Sequence, residues 1–184
     1  MAVTPTTNIE LGFALPAFEL TDTISGRTFK HNDIRGEKGT LVMFICNHCP
    51  YVLHIIKEIV QIGYDYRDKG LGIVAISSND ILKYPEDNPQ RMKEFGVSLG
   101  FPFPYLFDES QEIAKAYDAA CTPDFNFFDS KGNCMYRGQF DGARPGNSIK
   151  VTGEDLREAI ELVLNNKDVP SDQTPSTGCG IKWK

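Results

Sequence analysis

The apolar positions along the chain repeat with two periods, and the predicted elements follow from them. "PAFELTDT" (Pro16–Thr23) alternates, and Ser25-Gly26 leads into "RTFKH", which predicts a hairpin. "TLVMFIC" (Thr40–Cys46) is continuously apolar over the length of a strand, the pattern of a strand covered on both faces. From Pro50 to Arg67 the residues Val52, Ile55, Ile56, Ile59, Val60 and Ile62 recur at helical spacing and give a wide apolar face. Gly70 ends that helix, and "LGIVAISS" supplies a second buried strand. Strand, helix and strand make a βαβ unit, which implies a parallel pair with a right-handed crossover.

A short helix is predicted near Pro89–Leu99, then a strand at "PYLFD" and a helix at "SQEIAKAYDA". "DFNFFDS" and "NCMYRGQF" flank Lys131-Gly132 as a second hairpin. "VTGEDLREAIELVLNN" places Leu156, Ala159, Ile160, Val163 and Leu164 on one helical face, with Thr152 and Asp155 as a capping pair. The order predicts an α/β fold, a mixed sheet with helices on both faces. "DVPSDQTPSTGCGIKWK" has no periodicity and many turn formers. We therefore expect a domain over residues 1–169 and a surface tail over residues 170–184.

Composition narrows the function. A chain of 184 residues fits one domain, and 41% hydrophobic with 24% charged residues is ordinary for a globular protein. A net charge of −6, without any Lys/Arg-rich stripe, argues against nucleic acid or an anionic membrane as partner. "MAVTPTTNIELGF" has neither a basic nor an apolar leader region, and no apolar run is long enough for a bilayer. The expectation is a cytoplasmic protein, where structural disulfides are rare. Five cysteines at irregular spacing do not form a disulfide framework, so sulfur chemistry here is catalytic or regulatory.

The chemistry centres on "FICNHCPYVLH" (Phe44–His54). If Cys46 headed the helix, Pro50 would sit inside it at a cost of up to ~3 kcal/mol. With Cys49 at the boundary, Pro50 falls at the first helical position, where its missing N–H costs nothing. Cys46 then ends the buried strand and Cys49 stands at the helix N-terminus. Unpaired N–H groups and the positive end of the helix dipole stabilise an anion there, and such a thiol can ionise at neutral pH. Cys49 is thus the candidate nucleophile, and His48 adds to the local positive potential.

A Cys-x-x-Cys metal site needs two further ligands. The sequence offers only scattered candidates in Cys121, Cys179 and His54, so neither a metal nor another cofactor is assigned. An oxidised Cys49 needs a resolving thiol. The candidates are Cys121 directly before Thr122-Pro123, Cys46, and Cys179 in a mobile tail between two glycines. Cys134 is read as structural, Trp183 as an anchor for the tail, and Arg144 as a turn-stabilising arginine with anion binding as the alternative.

These blocks together resemble the thioredoxin superfamily, in its peroxiredoxin-like branch of redoxin or alkyl hydroperoxide reductase/thiol-specific antioxidant type. The resemblance rests on "FICNHCPYV", "SSND", "YPEDNPQRMK", "FPFPYLFDE", "ACTPDF", "RPGN" and "GCGIKWK", in order over nearly the whole chain. It implies a thioredoxin-like fold with an N-terminal hairpin extension and a cis proline at Thr122-Pro123 opposite the reactive cysteine. With His48 and Pro50, these two residues would form the substrate groove. Aligned on the strand, Cys49 matches the first cysteine of the thioredoxin pair and Val52 stands where the second would be. Cys46 and Val42 occupy the positions where peroxiredoxins carry threonine and proline.

The expected function is a thiol oxidoreductase of antioxidant type, in which Cys49 attacks a disulfide or peroxide and a thiol reductant restores it. A homodimer is the candidate assembly. The alternative is a non-catalytic thioredoxin-like module that binds a partner or metal through the same face.

Overall fold

The computed structural model describes residues 3–7 and 9–184. Its elements in chain order are β1 (Val3–Pro5), β2 (Glu19–Asp22), β3 (Thr28–Lys30), α1 (His31–Ile34), β4 (Gly39–Phe44) and α2 (Pro50–Tyr66). β5 (Leu71–Ser77), α3 (Pro89–Leu99), β6 (Tyr105–Phe107), α4 (Glu112–Ala116) and β7 (Cys121–Thr122) follow. The chain closes with β8 (Asp124–Asp129), β9 (Cys134–Tyr136), α5 (Glu154–Leu164) and β10 (Thr177–Gly180).

Seven strands form one sheet in the order β3-β2-β6-β5-β4-β8-β9, and β1-β10-β7 form a second. β4 pairs parallel with β5, and β5 with β6, while β8 runs antiparallel beside β4. Both predicted hairpins are present, β2–β3 and β8–β9. The arrangement is the thioredoxin-like fold expected from the sequence.

The core divides by strand alternation, since neighbouring side chains point to opposite faces. Leu41, Met43, Ile73, Ala75, Phe125 and Phe127 meet α2, α3 and α5 on one face. Val42, Phe44, Val74, Ile76 and Phe128 meet α1, α4 and the segment around Leu11–Leu15 on the other. This is why β4 reads as an unbroken apolar run: all six of its residues are buried. α2 buries Val52, Ile55, Ile56, Ile59, Val60 and Ile62, each contributing about 1.5–3 kcal/mol when fully removed from water.

Three expectations need correction. β4 stops at Phe44, so Cys46 lies on the loop beyond the strand and not at its end. The capping pair at α5 does not form. Gly153 holds the N-cap position in a left-handed conformation, and a Cβ there would meet the Phe140 ring at 2.8 Å. Asp141 from the preceding loop accepts the Thr152 and Gly153 N–H groups instead, at 2.8 and 2.7 Å.

The third correction concerns the end of the chain. Within residues 170–184, Thr177–Gly180 forms β10, which pairs with β1 and β7 and buries Cys179. Ile181 anchors this end in the core, whereas Trp183 is 39% exposed, with Lys115 over its ring and Lys83 at its carbonyl. Asn79 and Gln111 fix the backbone of Lys182 from both sides. The composition of the segment gave no periodicity because its order comes from long-range pairing, not from an amphipathic face.

Gly178 makes the pairing possible. A Cβ at this position would lie 2.0 Å from the Thr122 carbonyl oxygen, and backbone cannot yield as a side chain can. Gly178→Ala is therefore expected to lower stability by about 1–3 kcal/mol and to speed alkylation of Cys49 beneath β10. Urea unfolding with thiol labelling checks this. Unchanged stability and protection would show that this contact does not hold the strand.

Candidate active site around Cys49

Cys49 is the N-cap of α2, with extended backbone (φ −70°, ψ 122°), and Pro50 occupies the first turn. The register expected from the proline is the one observed. The Thr122-Pro123 bond is cis, and the end of β7 lies against the start of α2. Cys49 Sγ lies 3.1 Å from the Thr122 carbonyl oxygen, and Cys46 Sγ lies 3.3 Å from Thr122 Oγ1.

Strand register decides which thiols join this group. Cys179 pairs with Thr122 across β10 and β7, and Gly180 pairs with Cys121. Paired residues share a face and neighbours alternate, so Thr122 and Cys179 face Cys49 while Cys121 turns away. Cys121 points its sulfur at the Pro123 carbonyl, 3.5 Å away. It lies close enough for the Cys49 and Cys179 charges to act on it, but its sulfur bonds away from them. Cys134 is buried in the second core cluster, as expected of a structural cysteine.

Cys46, Cys49 and Cys179 thus form a sulfur cluster, and its members do not ionise alike. Hydrogen bonding from the Cys46 thiol, then from the Cys179 thiol and the N–H groups of Val52 and Cys179, lowers the Cys49 pKa to about 5 against the opposing effect of burial. The Thr122 carbonyl favours the neutral thiol, but a single acceptor is outweighed by several donors. Cys46 is pushed well up by its bond to Cys49, by burial and by the Asp87 carboxylate. Cys179 is pushed up to about 12 by burial and by Cys49, with Lys182 acting in the opposite sense. Thr122 hydroxyl, Cys46 thiol and Cys49 thiolate then form a chain of donors ending at one anion. Cys121 rises beyond the range of an accessible thiolate because it is buried near Asp124.

Sequence reading missed Asp87 and Tyr84. Asp87 is fully buried, accepts from the Asn47 N–H at 2.8 Å and Asn79 Nδ2 at 2.7 Å, and lies 2.7 Å from His48 Nδ1. This pairing raises the His48 pKa against the opposing effect of burial. The His48 ring stacks on Tyr84, and Lys182 Nζ lies over the same Tyr84 ring. Both missed residues lie in "YPEDNP" beyond the carboxyl end of β5, where open α/β sheets place their sites.

Cys46, His48 and Asp87 each offer a donor atom within 4.8 Å of one another, a geometry that could hold a cation. The ligands weighed from sequence, Cys121, Cys179 and His54, are not in that group, and His54 is exposed on α2.

The pH dependence of Cys49 follows from these contacts. Its alkylation rate is expected to be flat above neutrality and to fall as pH drops through about 5. Cys46→Ala removes the strongest stabilising donor and should move the midpoint up by more than Cys179→Ala does. Labelling each cysteine against pH by mass spectrometry checks this. A midpoint near the ordinary thiol value of about 8.5 would refute the stabilised thiolate.

Residues 11–137 match the family model described as the AhpC/TSA family. The chain is 26% identical over 163 residues to a thiol-disulfide oxidoreductase ResA of Geobacillus thermodenitrificans, covering 87% of this chain and 82% of the relative. Two solved structures are closer in sequence. One, described as an uncharacterized conserved protein from Geobacillus kaustophilus, shares 50% identity at a TM-score of 0.98 over 100% of this chain and 97% of its own. The other, described as a hypothetical protein from Sinorhizobium meliloti 1021, shares 45% at 0.96 over 98% of each chain.

Proposed function

The chain belongs to the AhpC/TSA family, and from that premise we propose that it is a thiol-disulfide oxidoreductase with Cys49 as nucleophile and Cys179 as resolving thiol. The observation that carries this is the Cys49 sulfur at the N-cap of α2, beside Cys46 and Cys179, with its pKa lowered to about 5. The Cys49 thiolate attacks one sulfur of a substrate disulfide, forms a mixed disulfide and expels the other half as a thiolate that takes up a proton. Cys179 then loses its proton and attacks Cys49 Sγ. The substrate leaves as its second thiol, and a Cys49–Cys179 disulfide remains for a thiol reductant to reduce. Two electrons pass from the protein dithiol to the substrate.

Local charge supports Cys179 over Cys46 as resolver. Asp87 opposes ionisation of Cys46, while Lys182 assists that of Cys179. Cys46 suits the role of a proton-bearing donor to Cys49. His48 pairs with Asp87 next to Cys49, and Pro50, Thr122 and Pro123 frame the groove beside it. Because Cys49 is fully buried beneath β10, a substrate must lift or part that strand to reach the sulfur.

Peroxide suits this site less well. Stabilising a leaving oxygen needs a placed donor, and Cys46 stands where the peroxidase threonine would be. The absence of one such donor corresponds to about 10²–10³ in rate. Disulfide turnover with a dithiol reductant is therefore expected to be saturable and abolished in Cys49→Ser, with peroxide consumption slower than in dedicated peroxidases by about that factor. Steady-state kinetics on both substrates provides the check. The donor geometry of Cys46, His48 and Asp87 favours a second reading, a metal-binding module. Stoichiometric zinc in protein purified without added metal, together with no disulfide turnover, would replace the enzyme by that module.

A further inference from the structure

Three side chains of different chemistry converge beside Cys49. Cys46 Sγ, a ring nitrogen of His48 and a carboxylate oxygen of Asp87 lie within 4.8 Å of one another. Cys46 and Asp87 are buried, and the His48 side chain is 16% exposed, so solvent reaches the group through the histidine. We propose that these three residues bind a zinc ion and that the bound ion holds exchange at Cys49 off, as a reversible switch. This inference rests on Cys49 being the exchange centre. It differs from the metal-binding module in that one protein does both in turn.

The polar atoms left without partners point to a ligand at this place. Among the described residues, the buried side-chain nitrogens and oxygens that make no hydrogen bond are both ring nitrogens of His48 and Ser77 Oγ. His48 Nδ1 is 2.7 Å from Asp87 Oδ2, but that oxygen lies off the N–H direction, so the two attract by charge without a directed bond. Ser77 ends β5 and by alternation faces the side of Ala75, where Cys46 and α2 also pack. Unpartnered polar atoms are costly in a folded interior, and a bound ion with its water satisfies them. Asp87 is held by its other contacts, the Asn47 N–H at 2.8 Å and Asn79 Nδ2 at 2.7 Å. Such outer hydrogen bonds aim a carboxylate as a metal ligand requires.

The donor set selects the ion. One thiolate, one imidazole and one carboxylate form the mixed set that zinc takes, and a single carboxylate offers too few oxygens for calcium or magnesium. Ligands of tetrahedral zinc stand roughly 3.3–3.8 Å apart, so side-chain shifts of about 1 Å seat the ion. The Cys46 thiolate and the Asp87 carboxylate balance its two charges, as a buried site requires. No fourth Cys, His, Asp or Glu joins the group among the described residues, so water takes the remaining position. On binding, Cys46 releases its thiol proton to solvent and His48 coordinates through a neutral nitrogen. Cys46 is the thiol hydrogen-bonded to Cys49. A zinc-bound sulfur has no proton to donate, so the ion withdraws that donor from the nucleophile.

Metal binding and exchange are measured separately on the full chain. In equilibrium dialysis the reduced protein is expected to take up about one zinc ion per chain, and cobalt in its place should show sulfur-to-metal charge-transfer absorption. Cys46→Ser should abolish that absorption. Asp87→Asn and His48→Phe should each weaken zinc binding at least about tenfold. Phenylalanine keeps the stack on Tyr84, so a loss in His48→Phe is not unfolding. Cys49→Ser and Cys179→Ser should bind zinc like the wild type. No zinc uptake overturns the proposal, and so does uptake that survives Asp87→Asn but is lost in Cys49→Ser or Cys179→Ser. Exchange is then followed as a single turnover of reduced protein with excess disulfide, without any dithiol that would chelate the metal. Saturating zinc should slow it at least about tenfold, the worth of one hydrogen bond to an anion, and a chelator should restore it. His48→Phe should need about tenfold more zinc for the same effect. An unchanged rate at saturating zinc overturns the switch. Zinc uptake without any exchange sinks the switch together with the exchange reaction and leaves a metal site, whereas exchange without zinc uptake sinks the site alone.

Discussion

Pro50 has no N–H to donate, and that sets where α2 begins. Placed a turn deeper it would cost about 3 kcal/mol, so the helix starts at the proline and Cys49 becomes its N-cap. The rest of the site depends on that register. Only as N-cap does the Cys49 sulfur face the Thr122 carbonyl, receive the donors of the first turn and stand at the carboxyl end of β4 beside Cys46. Shifting the helix by one residue would turn the sulfur off this axis and separate it from both neighbouring thiols.

Once Cys49 is fixed, the cluster divides its protons by electrostatics. Three thiols packed together cannot all ionise, because like charges in a buried site repel. The thiol that receives the most donors becomes the anion, and its charge holds the protons on the other two. Asp87 sharpens the division by opposing a second anion at Cys46 while pairing with His48. β10 completes the arrangement. It supplies Cys179, excludes water from Cys49 and carries the threonine that positions Arg144. One short strand therefore covers Cys49, supplies the third thiol of the cluster and anchors Arg144.

Much of this was legible in the sequence because it is local. Pro50, the apolar run of β4 and the spacing of α2 fixed the strand–loop–helix turn and the place of Cys49 at the helix N-cap. The two hairpins announced themselves through Gly26 and Gly132, which take left-handed conformations at their turns. Long-range features were not legible. Nothing local marks "STGCG" as a strand, because β10 exists through pairing with residues more than fifty positions away and through the close approach allowed at Gly178. Asp87 looked like one acidic residue among many, and its burial against His48 follows only from the loop after β5 folding over the site. Cys121 misled for the opposite reason. Its neighbourhood in sequence was right, but strand alternation turned its side chain to the other face.

The central claim is that Cys49 exchanges electrons with substrate through Cys179, and disulfide mapping tests it most directly. Reduced protein is given one equivalent of a disulfide substrate, trapped in acid, digested without reduction and sequenced by mass spectrometry. The account predicts a Cys49–Cys179 peptide pair within one chain, preceded at short times by substrate attached to Cys49. A Cys46–Cys49 or Cys49–Cys121 pair as the main product, or substrate attached first to any other cysteine, would contradict it.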